Sequence, residues 1–205
     1  MGAGVPHRRY DQRAHVELLA VARLYLLAVT LNVWVLVGIL AAAFAVQFWS
    51  GEPPCPLCVM QRIALMLIAL GPLHILLRAY AAGLTSRVAA LGQGMAIIAA
   101  VLGAVAAGRQ ILLHVLPGDP GFGSPVFGLH LYTWCFITFS AQIAASAVLL
   151  IAATWLEDGK ARGPMTMVTA TVFAFVVAAN LVSVVAEAGL HWNLPADPSG
   201  YLLFR

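Results

Sequence analysis

The chain has 205 residues, of which 62% are hydrophobic and only 9% charged, with a formal net charge of +3. A soluble domain of this length carries about a quarter charged residues. So apolar a chain cannot bury its own surface, so lipid must cover the remainder and an ordinary water-soluble globule is excluded. The small positive excess needs no nucleic-acid partner, because basic residues kept in cytoplasmic loops account for it.

Taken in chain order, uncharged stretches of about 20 residues mark helices able to cross the hydrocarbon core. The first runs from Leu24 to about Phe48, with no charge between Arg23 and Glu52. The second begins near Cys58 and ends near Leu77, interrupted only by Arg62. A third spans Val88 to Ala107, a fourth about Thr133 to Trp155, and a fifth about Met165 to Val185. The fold class is therefore all-α, a polytopic membrane protein. The first apolar run is too long for the core of a cleaved signal peptide, so it is read as a retained span.

Basic residues set the orientation. With a cytoplasmic N-terminus, that side holds Arg8, Arg9, Arg13, Arg23, Arg78, Arg87, Lys160 and Arg162, while the other holds Arg62, Arg109 and Arg205. The positive-inside rule favours N-in, C-out. Trp49–Leu57, Gly108–Tyr132 and the tail from Glu187 then face outward, and the short hairpins near Ala79–Arg87 and Glu157–Pro164 face inward. The runs Ala41-Ala42-Ala43, Ala99-Ala100 and Gly103-Ala104 read as close helix contacts. Asn32, Gln47, Gln142 and Asn180 are expected to hydrogen-bond between helices, and Trp49, Tyr132, Trp134 and Trp192 to form an outer aromatic belt. Gly118-Asp119-Pro120-Gly121 reads as a tight turn.

Chemistry concentrates in Cys55-Pro56-Leu57-Cys58. Three cysteines are too few for a disulfide scaffold. Pro53-Pro54 disfavours helix before Cys55, and Pro56 suits a first helical position, so the second helix should start there with Cys58 in its first turn. A thiolate at that place gains from the free N–H groups and the helix dipole, and Arg62, four residues on, lies on the same face. Both favour the nucleophilic form of Cys58. An arginine at membrane depth is costly and marks function; a carbonyl-bearing or anionic small molecule would give it a partner, and snorkelling to the interface is the plainer alternative. No second pair completes a zinc site, and a structural bridge across so short a loop adds little. Redox chemistry is the reading that remains favoured.

Cys55-Pro56-Leu57-Cys58-Val59-Met60-Gln61-Arg62 closely resembles the C-P-L-C-x-x-Q-R signature of the DsbB disulfide-bond formation proteins. Gly108-Arg109-Gln110 with Leu116-Pro117, and Phe127-Gly128-Leu129 with Trp134, resemble the stretches flanking that family's outer loop; the similarity covers roughly residues 30 to 155. The resemblance implies a DsbB-like four-helix bundle over 24–156; hydropathy and charge add a cytoplasmic segment at 1–23 and a fifth transmembrane helix with a periplasmic tail in 157–205. It implies an enzyme of the bacterial inner membrane, a thiol:quinone oxidoreductase. Electrons from a periplasmic thioredoxin-fold, DsbA-like protein would enter at Cys55, the sulfur open to exchange, and leave through Cys58 to a quinone (ubiquinone or menaquinone) that Arg62 binds and polarises. Re-oxidising a soluble oxidant of about −120 mV demands so positive an acceptor.

Two departures stand out. The family's second cysteine pair is missing: where a Pro-x-Cys-Gly-like segment is common, the chain reads Pro120-Gly121-Phe122-Gly123. A fifth span is also present. Direct exchange with the soluble partner at Cys55, or Cys135 as a resolving thiol, would replace the relay; an inert, buried Cys135 is the plainer expectation. His114, and less so His130, are candidates to relay a proton at the quinone end. The alternative function is a redox-inactive or specialised membrane subunit of a larger complex; a small transporter lacks support, since no span except the second carries an ionisable residue at depth and no repeat is visible.

Overall fold

The computed structural model describes residues 6–159, 161–189 and 200–204. It contains five helices, α1 (Pro6–Ser50), α2 (Pro56–Ala81), α3 (Ser86–Leu113), α4 (Leu131–Ala153) and α5 (Thr166–Ala188), and a short 3-10 turn at Leu202–Phe204. All five are long and apolar enough to cross a membrane, so the expected all-α, polytopic class holds. Large side chains such as Leu24, Leu31, Val35, Ile98, Val105 and Phe175 stand outward on the helices, as lipid-facing positions require.

Each boundary has a local cause. Cys55 is the N-cap of α2, with its sulfur accepting the Cys58 N–H at 3.2 Å, and Pro56 opens the helix as expected. The Thr85 hydroxyl caps α3 by accepting the Val88 N–H at 3.1 Å. Where the sequence reading ended the third span at Ala107, α3 runs to Leu113. Gly108-Arg109-Gln110 does not break it, because Arg109 turns outward while Gln110 turns into the bundle.

Neighbouring helices run antiparallel, as short connections demand. At one end the α2–α3 and α4–α5 connections are tied by reciprocal backbone bonds between Leu84 and Gly159, 2.9 and 3.1 Å, and by Ser86 Oγ–H donating to the Leu156 carbonyl. At the other end, Glu52 of the α1–α2 connection accepts from the backbone N–H of Ser124 at 3.1 Å and from its hydroxyl at 2.7 Å. Alternate connections thus gather at opposite ends.

Association of helices in lipid rests on close packing, not on expelling water. At the α2–α3 crossing Gly71 and Gly92 meet backbone to backbone, and a Cβ on either would collide with its neighbour. Gly103 lies against the Phe139 ring of α4, with Ala99 and Ala100 buried beside it. The Ala41–Ala43 run behaves otherwise: it is not buried, and Ala42 and Ala43 line a cavity. Small side chains there open space instead of closing it. α5 packs on α1 and α2, with Trp34 Nε1–H donating to Thr169 Oγ1 at 3.1 Å. Asn32 and Gln142 bond across α1 and α4 at 2.9 Å as expected, but Asn180 turns back on the Val176 carbonyl of its own helix. Trp192 lies outside the described residues. Tyr132 is buried, not in an interfacial belt.

Candidate functional site

The site lies where α2 begins. Because Cys55 occupies the N-cap, its sulfur collects more donors than that of Cys58: the Cys58 N–H, and Gln110 Nε2–H from α3 at 3.4 Å. Gln110 is itself held by Gln61, whose Nε2–H donates to its Oε1 at 2.7 Å, and its amide also reaches Cys58 Sγ at 3.7 Å. A hydrogen bond from the Cys58 side chain, together with these donors, lowers the Cys55 thiol below its ordinary value against the opposing effect of burial. From its first-turn position alone, Cys58 is the expected thiolate. The capping geometry moves it one residue outside the helix, since an N-cap side chain is the group that faces the free N–H donors.

Cys55 is also only 6% exposed. It is not the open sulfur that the resemblance implies, because the loop between α3 and α4 closes over this end. Phe122 and Gly123 from that loop, with Pro53 and Pro54, enclose a small cavity of ≈ 50 Å³ above Cys58 and Arg62. The Glu52–Ser124 bonds hold the loop down. Gly121 and Gly123 have φ of 73° and 71°, and a Cβ on Gly121 would run into the His130 ring. Glycine is required at both positions for the loop to fold flat.

Arg62 points into the bundle from α2. Its Nη1–H donates to Gln47 Oε1 at 2.6 Å, its Nη2–H to the Ala43 carbonyl at 3.2 Å, and the guanidinium lies 5.5 Å from the Phe44 ring centroid. The arginine therefore has protein partners and does not snorkel. Gln47 in turn donates to Ser183 Oγ of α5 at 3.0 Å and to the Tyr201 hydroxyl at 2.8 Å. The role of Gln47 as an interhelical bond is met, with the fifth helix as its partner.

Beyond Arg62 opens a cavity of ≈ 370 Å³ between α1, α2 and α4, walled by Ile39, Val46, Leu65, Phe127, Leu131 and Trp134. Cys58, Arg62 and Cys135 share its lining, so the third cysteine, which also packs against the hydrophobic core, reaches the same cavity as Cys58. Trp134 Nε1–H donates to the Val126 carbonyl at 2.9 Å, and this holds the left-handed turn at Phe127, φ 51°. The size and apolar walls suit a small organic ligand. A guanidinium has five N–H donors, of which the two recorded bonds leave others for a carbonyl oxygen. The residues present thus fit a quinone headgroup with Cys58 beside it.

His114 does not line this cavity. It pairs with Asp119 (Nδ1 to Oδ1 3.0 Å) and stacks on Tyr132 at 5.6 Å, with His130 stacked on the same ring at 5.2 Å. Tyr132 does reach the cavity, so the two histidines stand one ring removed. Asp119 accepts the Gly121 N–H at 2.8 Å, which with His114 holds its exposed carboxyl below the usual carboxylate range. The tight turn falls at Leu116–Asp119, with the Asp119 side chain continuing it.

Gln110, Gln61 and Glu187 belong to the site although their sequence positions assign none of them a role in it. Glu187, placed by sequence in the outer tail, belongs to α5 and is fully buried. Helical phase puts Gln110, three residues past Ala107, on the inward face of α3, but not what it meets there.

The fold and site define a five-span helical membrane protein with a dithiol at a helix start, facing an apolar cavity backed by an arginine. The chain belongs to the DsbB family, described as disulfide bond formation protein DsbB, which matches residues 22–184. That match reaches well into α5, beyond the 30–155 of the sequence resemblance. Relatives named disulfide bond formation protein B include that of Chromobacterium violaceum, 39% identical over 82 residues, covering 40% of this chain and 47% of that protein. That of Marinobacter nauticus is 38% identical over 100 residues, covering 47% and 57% respectively. The chain spans about half the length of the curated relatives it matches. No solved structure matches it.

Proposed function

We propose that the chain is a thiol:quinone oxidoreductase of the bacterial inner membrane, with its N-terminus cytoplasmic and its C-terminus periplasmic. It takes electrons from a periplasmic, thioredoxin-fold dithiol protein at Cys55/Cys58 and passes them to ubiquinone or menaquinone. The observation that carries this reading is the shared placement of Cys58 and Arg62 on an apolar cavity among membrane-spanning helices. A bound quinone supplies an acceptor for two electrons and two protons.

The chain's own residues divide the work. Cys55, with donors gathered on its sulfur, meets the partner's thiolate, and the Cys55–Cys58 bond breaks with Cys58 as leaving group. Cys58 presents the cavity-facing sulfur for the outgoing electrons. Arg62, fixed by Gln47 and Ala43, retains N–H groups to bind a carbonyl oxygen and to stabilise negative charge developing there. Because Cys55 is buried, admission of a protein partner requires the Glu52–Ser124 bonds to open; the loop has no cysteine pair of its own to act as relay.

Purified, reduced protein mixed with ubiquinone or menaquinone should lose the Cys55 and Cys58 thiols as quinol forms, and a Cys58→Ala variant should trap a mixed disulfide at Cys55 with a thioredoxin-fold partner. Thiols that stay free in excess quinone would overturn the reading. They would favour instead the second one, a redox-inactive subunit of a larger complex, which draws on the burial of Cys55 beneath a cysteine-free loop.

A further inference from the structure

Glu187 is the one acidic residue in the five spans whose carboxylate is fully buried, and neither of its oxygens has a hydrogen-bond partner among the described residues. Leaving a carboxylate so is costly unless charge is balanced nearby or a proton is taken up. It stands one helical turn beyond Ser183, which accepts from Gln47, which accepts from Arg62. Glu187 lies within the electrostatic reach of Arg62 and Cys55, and the field at Arg62 gathers Cys58, Glu187, Cys135 and Tyr201. Arg62 is the only cation in this set. Low-dielectric surroundings favour one anion beside it, not two or none.

The dithiol carries one negative charge in only one of its redox states. As a disulfide it has none, and Arg62 then needs another counter-charge. With one thiolate it has one, and an ionised Glu187 becomes a second anion in the same pocket. The geometry points to Glu187 as the site that holds a proton while the dithiol is reduced and gives it up when the disulfide forms; this rests on the thiol:quinone reading above. Residue 187 lies beyond the 22–184 matched by the family.

The balance is complete. A partner dithiol, the Cys55–Cys58 disulfide and the Glu187 carboxylate become a partner disulfide, one thiolate, one thiol and the Glu187 carboxylic acid: two protons and one negative charge on each side. When quinone then accepts two electrons, the thiol and the carboxylic acid furnish its two protons, the disulfide re-forms and Glu187 is again a carboxylate. The pocket around Arg62 stays neutral in both states. Cys58 and Cys55 at the start of α2, Cys135 from α4 and Tyr201 beyond α5 are the other titratable groups about Arg62. Tyr201 accepts from Gln47.

The test is redox-difference infrared spectroscopy on the full chain without quinone, with the pair reduced by dithiothreitol. Reduction should add the C=O stretch of one carboxylic acid, lost in Glu187→Gln and shifted in Glu187→Asp. A reduced-minus-oxidised spectrum of the unaltered protein with no carboxylic acid gained overturns the proposal, whether or not either variant folds. So does a band that survives unshifted in folded Glu187→Gln and Glu187→Asp. Quinone then separates the two ideas: quinone-driven loss of thiols without the band leaves the enzyme reading and removes Glu187, and the band without quinone-driven loss does the reverse.

Discussion

Among the polar clusters that interrupt the apolar helices, two are built in contrasting ways. Between α1 and α4, Asn32 donates to Gln142 at 2.9 Å, Gln142 returns a bond at 3.4 Å and donates to Ser146 at 2.9 Å. That cluster is closed, since its groups answer one another and none of them lines the cavity at Arg62. At the start of α2, Arg62, Gln47, Ser183 and Tyr201 form a chain that ends open, with Arg62 on the lining of a cavity and the Glu187 carboxylate without a hydrogen-bond partner among the described residues. Buried polar groups are normally satisfied. A closed network in lipid positions helices; an open one keeps donors and acceptors available for something that comes and goes.

The largest effect should follow from removing the open cluster's cation. Arg62→Leu takes away the charge, both fixed bonds and the remaining donors of a cavity-lining side chain. Hydrogen bonds to charged groups contribute about 1.5–3 kcal/mol each, so quinone-dependent thiol oxidation should fall on the order of tenfold to a hundredfold. Arg62→Lys keeps charge but loses the planar fork that serves Gln47 and Ala43 together, and should recover only part. Steady-state rates against quinone concentration check both. A Leu variant that folds and turns over at the parent rate would place the arginine among purely structural residues.

Next comes Gln110, which reaches both sulfurs. Cys55 is held below the ordinary thiol value, first by the bond from the Cys58 side chain and also by Gln110. Its thiolate is therefore present at neutral pH and lost as pH falls through the lowered value. Gln110→Leu removes a donor to the charged form, so the midpoint should rise and the reduced pair lose stabilisation, making the dithiol a weaker oxidant. Thiolate absorbance followed through a pH titration reads the first change, and equilibration with a reference dithiol the second. A midpoint that stays or drops would break the assignment of charge to Cys55.

Much of the open cluster was legible in sequence, and the omissions have physical causes. Cys55, Cys58 and Arg62 stand within eight residues of one another, and two prolines and a helix start fix their relation locally. Five spans follow from hydropathy alone. What could not be read was which residues other helices bring to them. Gln110 lies 52 residues from Cys58 and Ser183 lies 136 from Gln47, and each joins the site only through packing of α3 and α5. Ala42 and Ala43 read as contact residues because small side chains serve close packing and cavities alike. Glu187 read as tail because hydropathy ends a span at the first charge, although the helix runs past it. The openness of Cys55 failed for a related reason, since the fold-down of the loop depends on Glu52 meeting Ser124, 72 residues away.

The smallest effect is expected at the closed cluster, where it sharpens the contrast most. Asn32→Leu and Gln142→Leu each leave a partner amide unanswered, yet interhelical hydrogen bonds in membranes average only about 0.6 kcal/mol, with a ceiling near ~1.7. Each variant should lower stability by roughly that much, and the double variant by less than the sum, because the second change removes the group that the first had orphaned. Thermal or denaturant unfolding in detergent measures the coupling. Quinone-dependent oxidation should remain within about twofold of the parent, as a change below ~0.4 kcal/mol implies. If instead either variant slowed oxidation as far as Arg62→Leu, the Asn32–Gln142 pair would have to act through the cavity, and closed and open clusters would be one network.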